Sequence, residues 1–575
     1  MTAIAVSSAI TSGRGELVNV RQRTLLVAKW RILWVVGAFA LIALIALVRI
    51  AWLGLFEGAP QRQDGLAALL PERGDIVDRN GVPLARAFPA YALWYNPAAL
   101  GGDGPPLVHG PRVVAEALVR VFPDMNADQL TARLAEGRPG YLRRRLLPED
   151  ANRIHALGEP ALEFPREIER YYPQGSMAAH VLGFVGADGH GHVGMEQVFD
   201  KRLTDPATRA APAVLSLDTR VQGALEDELS RGMLDAAAKG AAGIVLDVDT
   251  GEVVALASLP AFNPNLIDRA GEANIFNRVT NQVYELGSTF KPISIAAAID
   301  AGVVTDMARR YQANRPLEIG GFQIRDSHAF GGSLNVPEAL IHSSNIVTAQ
   351  VADQLGSARL NATMRALDMN QRPGIELPAR GFPIWPDGDW SRITTMTVSY
   401  GHGIAVTPLH LASAYAAMVN GGVWRPATLM KVEPGKANPG RRVWKASTSA
   451  RMRQLLRMIV DLGTGRKANA PGYRVGGKTG SAEKPGAGGY RKTSLVATFA
   501  AAFPMDHPRY VVIAMLDEPQ GTSATWGQRT AAFNAAPIVG RVVPRIGPLL
   551  GVMPDDTRDV DISDLAPLVA NGNGE

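Results

Sequence analysis

The chain has 575 residues, 46% hydrophobic and 20% charged, with 59 glycines and 39 prolines. That composition excludes a disordered chain and a multi-span membrane protein, and the length allows about two to four domains. The absence of cysteine excludes a disulfide framework, thiolate zinc or iron–sulfur sites and a cysteine nucleophile. Serine, lysine, histidine and carboxylate chemistry remain, and the net charge of +5 is small enough that only its placement is informative.

The first predicted element is a membrane anchor. An uncharged run extends from Ile32 to Val48, and after Arg49 apolar character continues through Trp52, Leu53, Leu55 and Phe56. A helix over 32–56 is long enough to cross a bilayer, with Arg49 snorkelling to the headgroups. A cleaved signal peptide fits less well, because the apolar run is too long and no small-x-small site follows before Pro60. Arg14, Arg21, Arg23, Lys29 and Arg31 stand before the run with only Glu16 against them, which keeps the N-terminus in the cytoplasm. The rest of the chain then lies outside, away from intracellular nucleic acid, and the Arg143-Arg144-Arg145 run reads as a solvated or packing face.

From 57 to 214, frequent glycine and proline predict a mixed module of short strands, with Arg73 to Gly81 forming a strand that enters an Asn-Gly turn. From 215 the pattern becomes regular. Ala242–Asp247 and Glu252–Ser258 form a hairpin across Asp249-Thr250-Gly251, and Ser494–Phe503 with Arg509–Leu516 forms a second. Helical signals dominate between them, including Ile293–Ala301 ending at Gly302. The predicted fold is α+β: one antiparallel sheet closed by distant parts of the chain, with a helical subdomain beside it. The acidic stretch from Asp555 to Glu575 reads as a loose tail.

Three short motifs carry the chemistry. Ser288-Thr-Phe-Lys291 follows Gly287 where Pro292 fixes a helix start, so the Lys291 amine can reach the Ser288 hydroxyl and, if partly desolvated, act as its base. Ser481-Ala-Glu-Lys484 has the same spacing but continues a strand signal, which would turn its serine and lysine to opposite faces. Ser343-Ser-Asn345 supplies a hydroxyl for proton relay and a carboxamide that both donates and accepts, whereas Ser333-Leu-Asn335 stands before Pro337 as a helix cap would. Lys478-Thr-Gly-Ser481, introduced by the strand-like Tyr473–Val475 and followed by a turn through Gly486, Gly488 and Gly489, places Thr479 and Ser481 on one strand face. The bare Gly480 would let a peptide lie along the strand edge, and Lys478 adds positive charge. His342 and His402 flank these motifs without a ligand cluster, so no metal or other cofactor is expected.

In this order, separated by 55 and 135 residues, the motifs form the signature of penicillin-binding proteins and class A β-lactamases. The chain resembles the class B penicillin-binding proteins, most closely the septal, FtsI-like peptidoglycan D,D-transpeptidases. The resemblance includes Arg73 to Gly81, Arg170-Tyr-Tyr-Pro173, Ala179 to Phe184, Gly194-Met-Glu-Gln197, Asp247 to Gly251, Phe262-Asn-Pro-Asn265, Tyr400-Gly-His-Gly403 and Thr407-Pro408. It implies a cytoplasmic tail over 1–31, the anchor over 32–56 in the inner membrane, and a non-catalytic pedestal of dimerisation type over 57–214. A periplasmic penicillin-binding, serine β-lactamase-like transpeptidase domain over 215–553 and a flexible acidic tail over 554–575 complete the chain.

The resemblance implies that Ser288 is acylated by a stem peptide ending in D-Ala-D-Ala, with Lys291 as base and Ser343 and Lys478 in the proton relay. Asn345, Thr479, Gly480 and Ser481 would bind substrate, and the backbone N–H groups of Ser288 and Ser481 would form the oxyanion hole. Stem peptides as donor and acceptor, β-lactams, a septal glycosyltransferase and other membrane division proteins would be its partners. Three positions depart from the family pattern: Ser481 stands for the usual Thr, Leu286 for Pro, and His402 for an aromatic residue or Gln. The departures bear on substrate and β-lactam affinity, since no catalytic group is lost. An elongation-type transpeptidase, a D,D-carboxypeptidase or β-lactamase on the same fold, and a catalytically idle division scaffold are the alternative readings.

Overall fold

The computed structural model describes residues 29–49, 73–101, 106–186, 188–486 and 489–570. Helix α1, Lys29–Arg49, has 21 residues and is long and apolar enough to cross a membrane. At 1.5 Å per residue it spans about 30 Å, the thickness of a bilayer's hydrocarbon core. It starts before the predicted Ile32 and takes in Lys29 and Arg31. The predicted continuation over 50–56, the tail over 1–28 and the start of the pedestal over 57–72 lie outside the described residues.

In the pedestal, β1 (Ile76–Val77) and β2 (Pro83–Tyr95) are antiparallel across the predicted turn, where Gly81 takes φ 84°. The expectation of uniformly short strands fails at β2, which runs for 13 residues. Its length follows from its role as the hub of the sheet: successive stretches pair with β1, β3 (Gly140–Leu146), β4 (Leu162–Glu163) and β5 (Arg166–Tyr171). Helices α2 (Pro111–Val121) and α3 (Ala127–Ala135) share a small core with it through Leu93, Tyr95, Leu118 and Leu134. Arg143 packs its guanidinium 4.2 Å from the Phe122 ring and pairs with Asp124, while Arg144 is exposed, so the run is both a packing and a solvated face.

A buried ion network ties the pedestal together. Glu196, on α4 (Gly194–Val198), is fully buried and accepts from Arg73 Nε at 2.9 Å and Arg170 Nε at 2.7 Å. β6 (Ala213–Val214) then runs parallel to β1 and leads into the catalytic domain. At this junction the buried Asp78 carboxylate accepts from four donors, Asn80 N, Val82 N, Thr219 N and Thr219 Oγ1, at 2.8 to 3.1 Å. The Arg73-to-Gly81 motif therefore couples the two domains, since Thr219 opens α5 (Thr219–Asp235).

The catalytic sheet has strand order β8-β7-β11-β10-β9, antiparallel throughout: β7 is Gly240–Asp247, β8 Val253–Leu259, β9 Gly476–Gly486, β10 Gly489–Phe503 and β11 Tyr510–Asp517. Alternate residues serve two cores. Ala242, Ile244, Leu246 and Ile513 face one cluster, while Ala241, Val245, Val512 and Ala514 face the other. With both faces covered, the strands read as continuous apolar runs. The first cluster is completed by the predicted helical subdomain: α6 (Lys291–Asp300), α7 (Val336–Ile341), α8 (Asn345–Leu355), the wholly buried α9 (Pro408–Val419) and α10 (Ala446–Leu462). The second cluster is completed by α5 and α11 (Ala535–Ile546).

Two expectations are corrected. Tyr473–Val475 is not a strand: Arg474 sits at φ 47° with its guanidinium 2.7 Å from Asp506, and β9 begins only at Gly476. Nor is the stretch from 555 to 569 loose. Asp559 pairs with Arg457 and Asp564 with Arg451, both on α10, while Leu565 is buried in the first core. The acidic composition that reads as a tail is a complement to a basic helix face.

Glu196→Ala would leave the guanidiniums of Arg73 and Arg170 buried without their shared partner. The expected loss is about 3–5 kcal/mol of unfolding free energy, measured by denaturant titration; a loss below about 1 kcal/mol, the worth of a surface pair, would contradict the network's role.

Candidate active site

The segment carrying Ser288 is built in two steps. Residues Gly287–Phe290 form a 3₁₀ turn, and α6 begins at Lys291 with Pro292 in its first turn. The turn is held from below, because Tyr415 of the buried α9 donates from its hydroxyl to Thr289 O at 2.9 Å, and Thr289 Oγ1 donates to Leu286 O at 2.9 Å. Gly401, at φ 81°, presses on it from the side: an added Cβ there would lie 2.3 Å from Gly287 O, which accounts for the first glycine of Tyr400-Gly-His-Gly403.

Ser343 occupies the corner between α7 and α8 at φ 62°, a strained conformation for a residue with a side chain. The corner is fixed by Asp326, which accepts from Ser344 Oγ at 2.7 Å, Ile346 N at 3.1 Å and Asn345 N. A carboxylate at the start of α8 also matches the helix dipole. Asn345 commits one amide hydrogen to Arg325 O at 2.9 Å and keeps its carbonyl oxygen for another partner. Asn335 of the second Ser-x-Asn is the N-cap of α7, closed by a capping box with Glu338.

β9 delivers the third motif. Lys478 is fully buried and donates to Ser343 Oγ at 2.9 Å, and Lys291, equally buried, donates to the same oxygen at 3.0 Å and to the Ser343 carbonyl. Two amines thus converge on one hydroxyl. Burial pushes Lys478 down to about 7, and burial together with the charge of Lys478 holds Lys291 well below the ordinary lysine range. Thr479 Oγ1 lies 2.8 Å from Thr464 Oγ1, and Ser481 Oγ accepts from Ala531 N at 2.9 Å.

Ser288, Ser343, Asn345, Thr479 and Ser481 line one cavity of about 630 Å³, with the two lysine amines beneath it. Two expectations are adjusted here. The Ser288 hydroxyl makes no hydrogen bond with Lys291 among the described residues, because the amine is drawn to two acceptors on Ser343. Gly480 does not leave an open face: an added Cβ would lie 2.4 Å from Leu286 O and 2.7 Å from Thr289 Cγ2, so its missing side chain admits the turn carrying Ser288. Lys484 of the second Ser-x-x-Lys turns away from Ser481 to Asp517 and Glu518.

Sequence reasoning missed a cluster at the rim. Tyr490 on β10 donates from its hydroxyl to both Glu285 carboxylate oxygens, at 2.9 and 3.1 Å, and His402 lies edge-on to Tyr490 and 3.7 Å from Glu285. Burial raises the Glu285 pKa and lowers that of His402. The cluster ties the hairpin of β9 and β10 to the residue three places before Ser288. Its one local signal was the departure at His402. Asp326 was missed as well, having no motif around it. Leu286, where the family has proline, is buried in the first core with φ −95°.

Fold and site define a class, and comparison with known proteins agrees. The penicillin binding protein transpeptidase domain matches residues 241–540 and the penicillin-binding protein dimerisation domain matches residues 68–205. The chain belongs to the penicillin-binding protein transpeptidase family, with the two-domain architecture of class B, and α1, the one helix among the described residues long and apolar enough to cross a membrane, supports a single-pass membrane protein.

It is 38% identical over 536 residues to the probable peptidoglycan D,D-transpeptidase FtsI of Caulobacter vibrioides, covering 91% of this chain and 89% of the relative. It is 30% identical over 581 residues to the peptidoglycan D,D-transpeptidase FtsI of Escherichia coli K12, covering 95% and 96%. Among solved structures it is similar to penicillin binding protein 3 of Mycobacterium tuberculosis in complex with aztreonam, with TM-score 0.66 and 26% identity over 85% of this chain and 98% of that one.

Gly480→Ala forces a Cβ into the Leu286 carbonyl. It is expected to cost about 1–3 kcal/mol of stability, as overpacking does, read from the denaturation midpoint; an unchanged midpoint would show that the turn moves freely.

Proposed function

We propose that the protein is a serine-type peptidoglycan D,D-transpeptidase of cell division, inhibited covalently by β-lactams. The observation that carries the reading is the pair of buried amines on Ser343 Oγ beside the open hydroxyl of Ser288. Ser288 Oγ attacks the carbonyl of the penultimate D-Ala, and its proton passes to the neutral amine of Lys291. The oxyanion is held by the backbone N–H groups of Ser288 and Ser481, one such donor being worth about 3–4 kcal/mol. The C–N bond breaks as the departing D-Ala takes a proton through Ser343, with Lys478 resupplying it. An acceptor stem's amine then attacks the ester, loses a proton along the same path, and frees Ser288 as the cross-link forms. Asn345 orients the donor amide, while Thr479 and Ser481 hold its terminal carboxylate. A β-lactam follows the first half only, since its leaving group stays tethered.

The FtsI names of its relatives support the septal reading over the elongation-type one. The five cations before α1 support a cytoplasmic N-terminus and a periplasmic catalytic domain in the inner membrane. The pedestal has a core separate from the site, which suits it to dock a septal glycosyltransferase and other division proteins. Val108→Glu with Val113→Glu, at exposed pedestal positions, should then reduce co-purification of the glycosyltransferase, and unchanged recovery would refute that docking surface.

Labelling with a fluorescent penicillin, followed by mass spectrometry of the acylated peptide, tests the central assignment. Attachment at Ser288, and loss of label in Ser288→Ala, are expected; attachment at another residue would overturn it. The same label gives the pH dependence. Because the amine must be neutral to accept a proton, acylation should rise with pH and level off within a few units of neutrality, following the lowered lysine pair. A rate still climbing at about pH 10, as an unperturbed lysine would give, would remove Lys291 from the role of base.

A further inference from the structure

A second groove adjoins the catalytic cavity. It encloses about 460 Å³ between the end of α5, the start of α11 and the segment joining β11 to α11. Phe533 lines both the groove and the catalytic cavity, so the two are neighbours.

Three features of the groove call for a ligand. Trp526 is 77% exposed, at φ 55°, a backbone conformation that bulky residues rarely adopt. Lys467 places its ammonium 4.8 Å from the Trp526 ring centroid and 3.9 Å from that of Phe533, with no carboxylate partner among the described residues. Asn534 is only 4% exposed, yet its Oδ1 has no hydrogen-bond partner, although its Nδ2 donates to Gln528 O and Thr530 O. A buried acceptor without a donor is costly.

We propose that this groove binds the N-acetylated amino-sugar strand of peptidoglycan, the polymer whose stem peptide enters the catalytic cavity. The inference rests on the transpeptidase reading above. The C–H face of a pyranose ring stacks on an exposed indole, and an acetamido N–H or sugar hydroxyl supplies the donor that Asn534 Oδ1 lacks. Lys467 takes a carboxylate or hydroxyl oxygen of the strand. Asp235 and Asn469, also on the groove wall, offer further polar contacts for hydroxyls. Because Phe533 is shared, a strand in the groove stands beside the cavity that receives its peptide, and the enzyme holds both halves of one substrate.

The test uses the full-length protein in detergent, and the probe is glycan strands stripped of their stem peptides. Calorimetric titration should show binding to the wild type and at least about tenfold weaker binding to Trp526→Ala, with Lys467→Gln also weakened. The rate of penicillin acylation at Ser288 should be unchanged in both variants, which also shows that they are folded. No binding to the wild type, or equal binding to wild type and Trp526→Ala, would overturn the inference while leaving the transpeptidase reading intact. A wild type that penicillin does not acylate would overturn both.

Discussion

Placing two lysine amines in one dry pocket is expensive, since each loses its hydration and repels the other when both are charged. Here neither Lys291 nor Lys478 has a carboxylate within ion-pair distance among the described residues, and both point at Ser343 Oγ. The pocket relieves the cost by favouring the loss of a proton from Lys291, which is what a base for a serine requires. Much of the catalytic domain can be read as the means of keeping those amines dry. The buried α9 supports the turn carrying Ser288 from beneath, β9 closes over it with a glycine where the two backbones meet, and Asp326 locks the strained corner that presents Ser343.

The same constraint explains how the site is assembled from separate elements. Ser288 and Lys291 come from a turn and the helix it starts, Ser343 from a corner between two helices, and Lys478 from a sheet edge. None of these elements could shield an amine alone. The hydroxyls of Thr479 and Ser481 are meanwhile held by Thr464 and the Ala531 amide, so this wall of the cavity is ordered in advance.

What could be read from the sequence was local or periodic. Both hairpins of the catalytic sheet, the cap at Asn335 and the separation of Ser481 from Lys484 follow from turn chemistry and strand alternation, and the structure agrees. The three motifs, being short and ordered, picked out residues that the fold brings around one cavity. Features that depend on distant partners were hidden. The carboxylates of Asp559 and Asp564 signal disorder until Arg457 and Arg451 are known to face them. Glu285 has meaning only beside Tyr490, 205 residues away, and Gly480 could not be assigned to packing before its neighbours at Leu286 and Thr289 were known.

The strand order has a consequence for how the molecule comes into being. β11 sits in the middle of the sheet, between β7 and β10, although it is the last of the five strands in the chain. A polypeptide emerging N-terminus first therefore cannot join its opening hairpin to the strands that carry Lys478 until residue 517 has appeared. Such long-range pairing is slow to form. Until then Ser288 and Ser343 are present but the pocket that Lys478 completes is not.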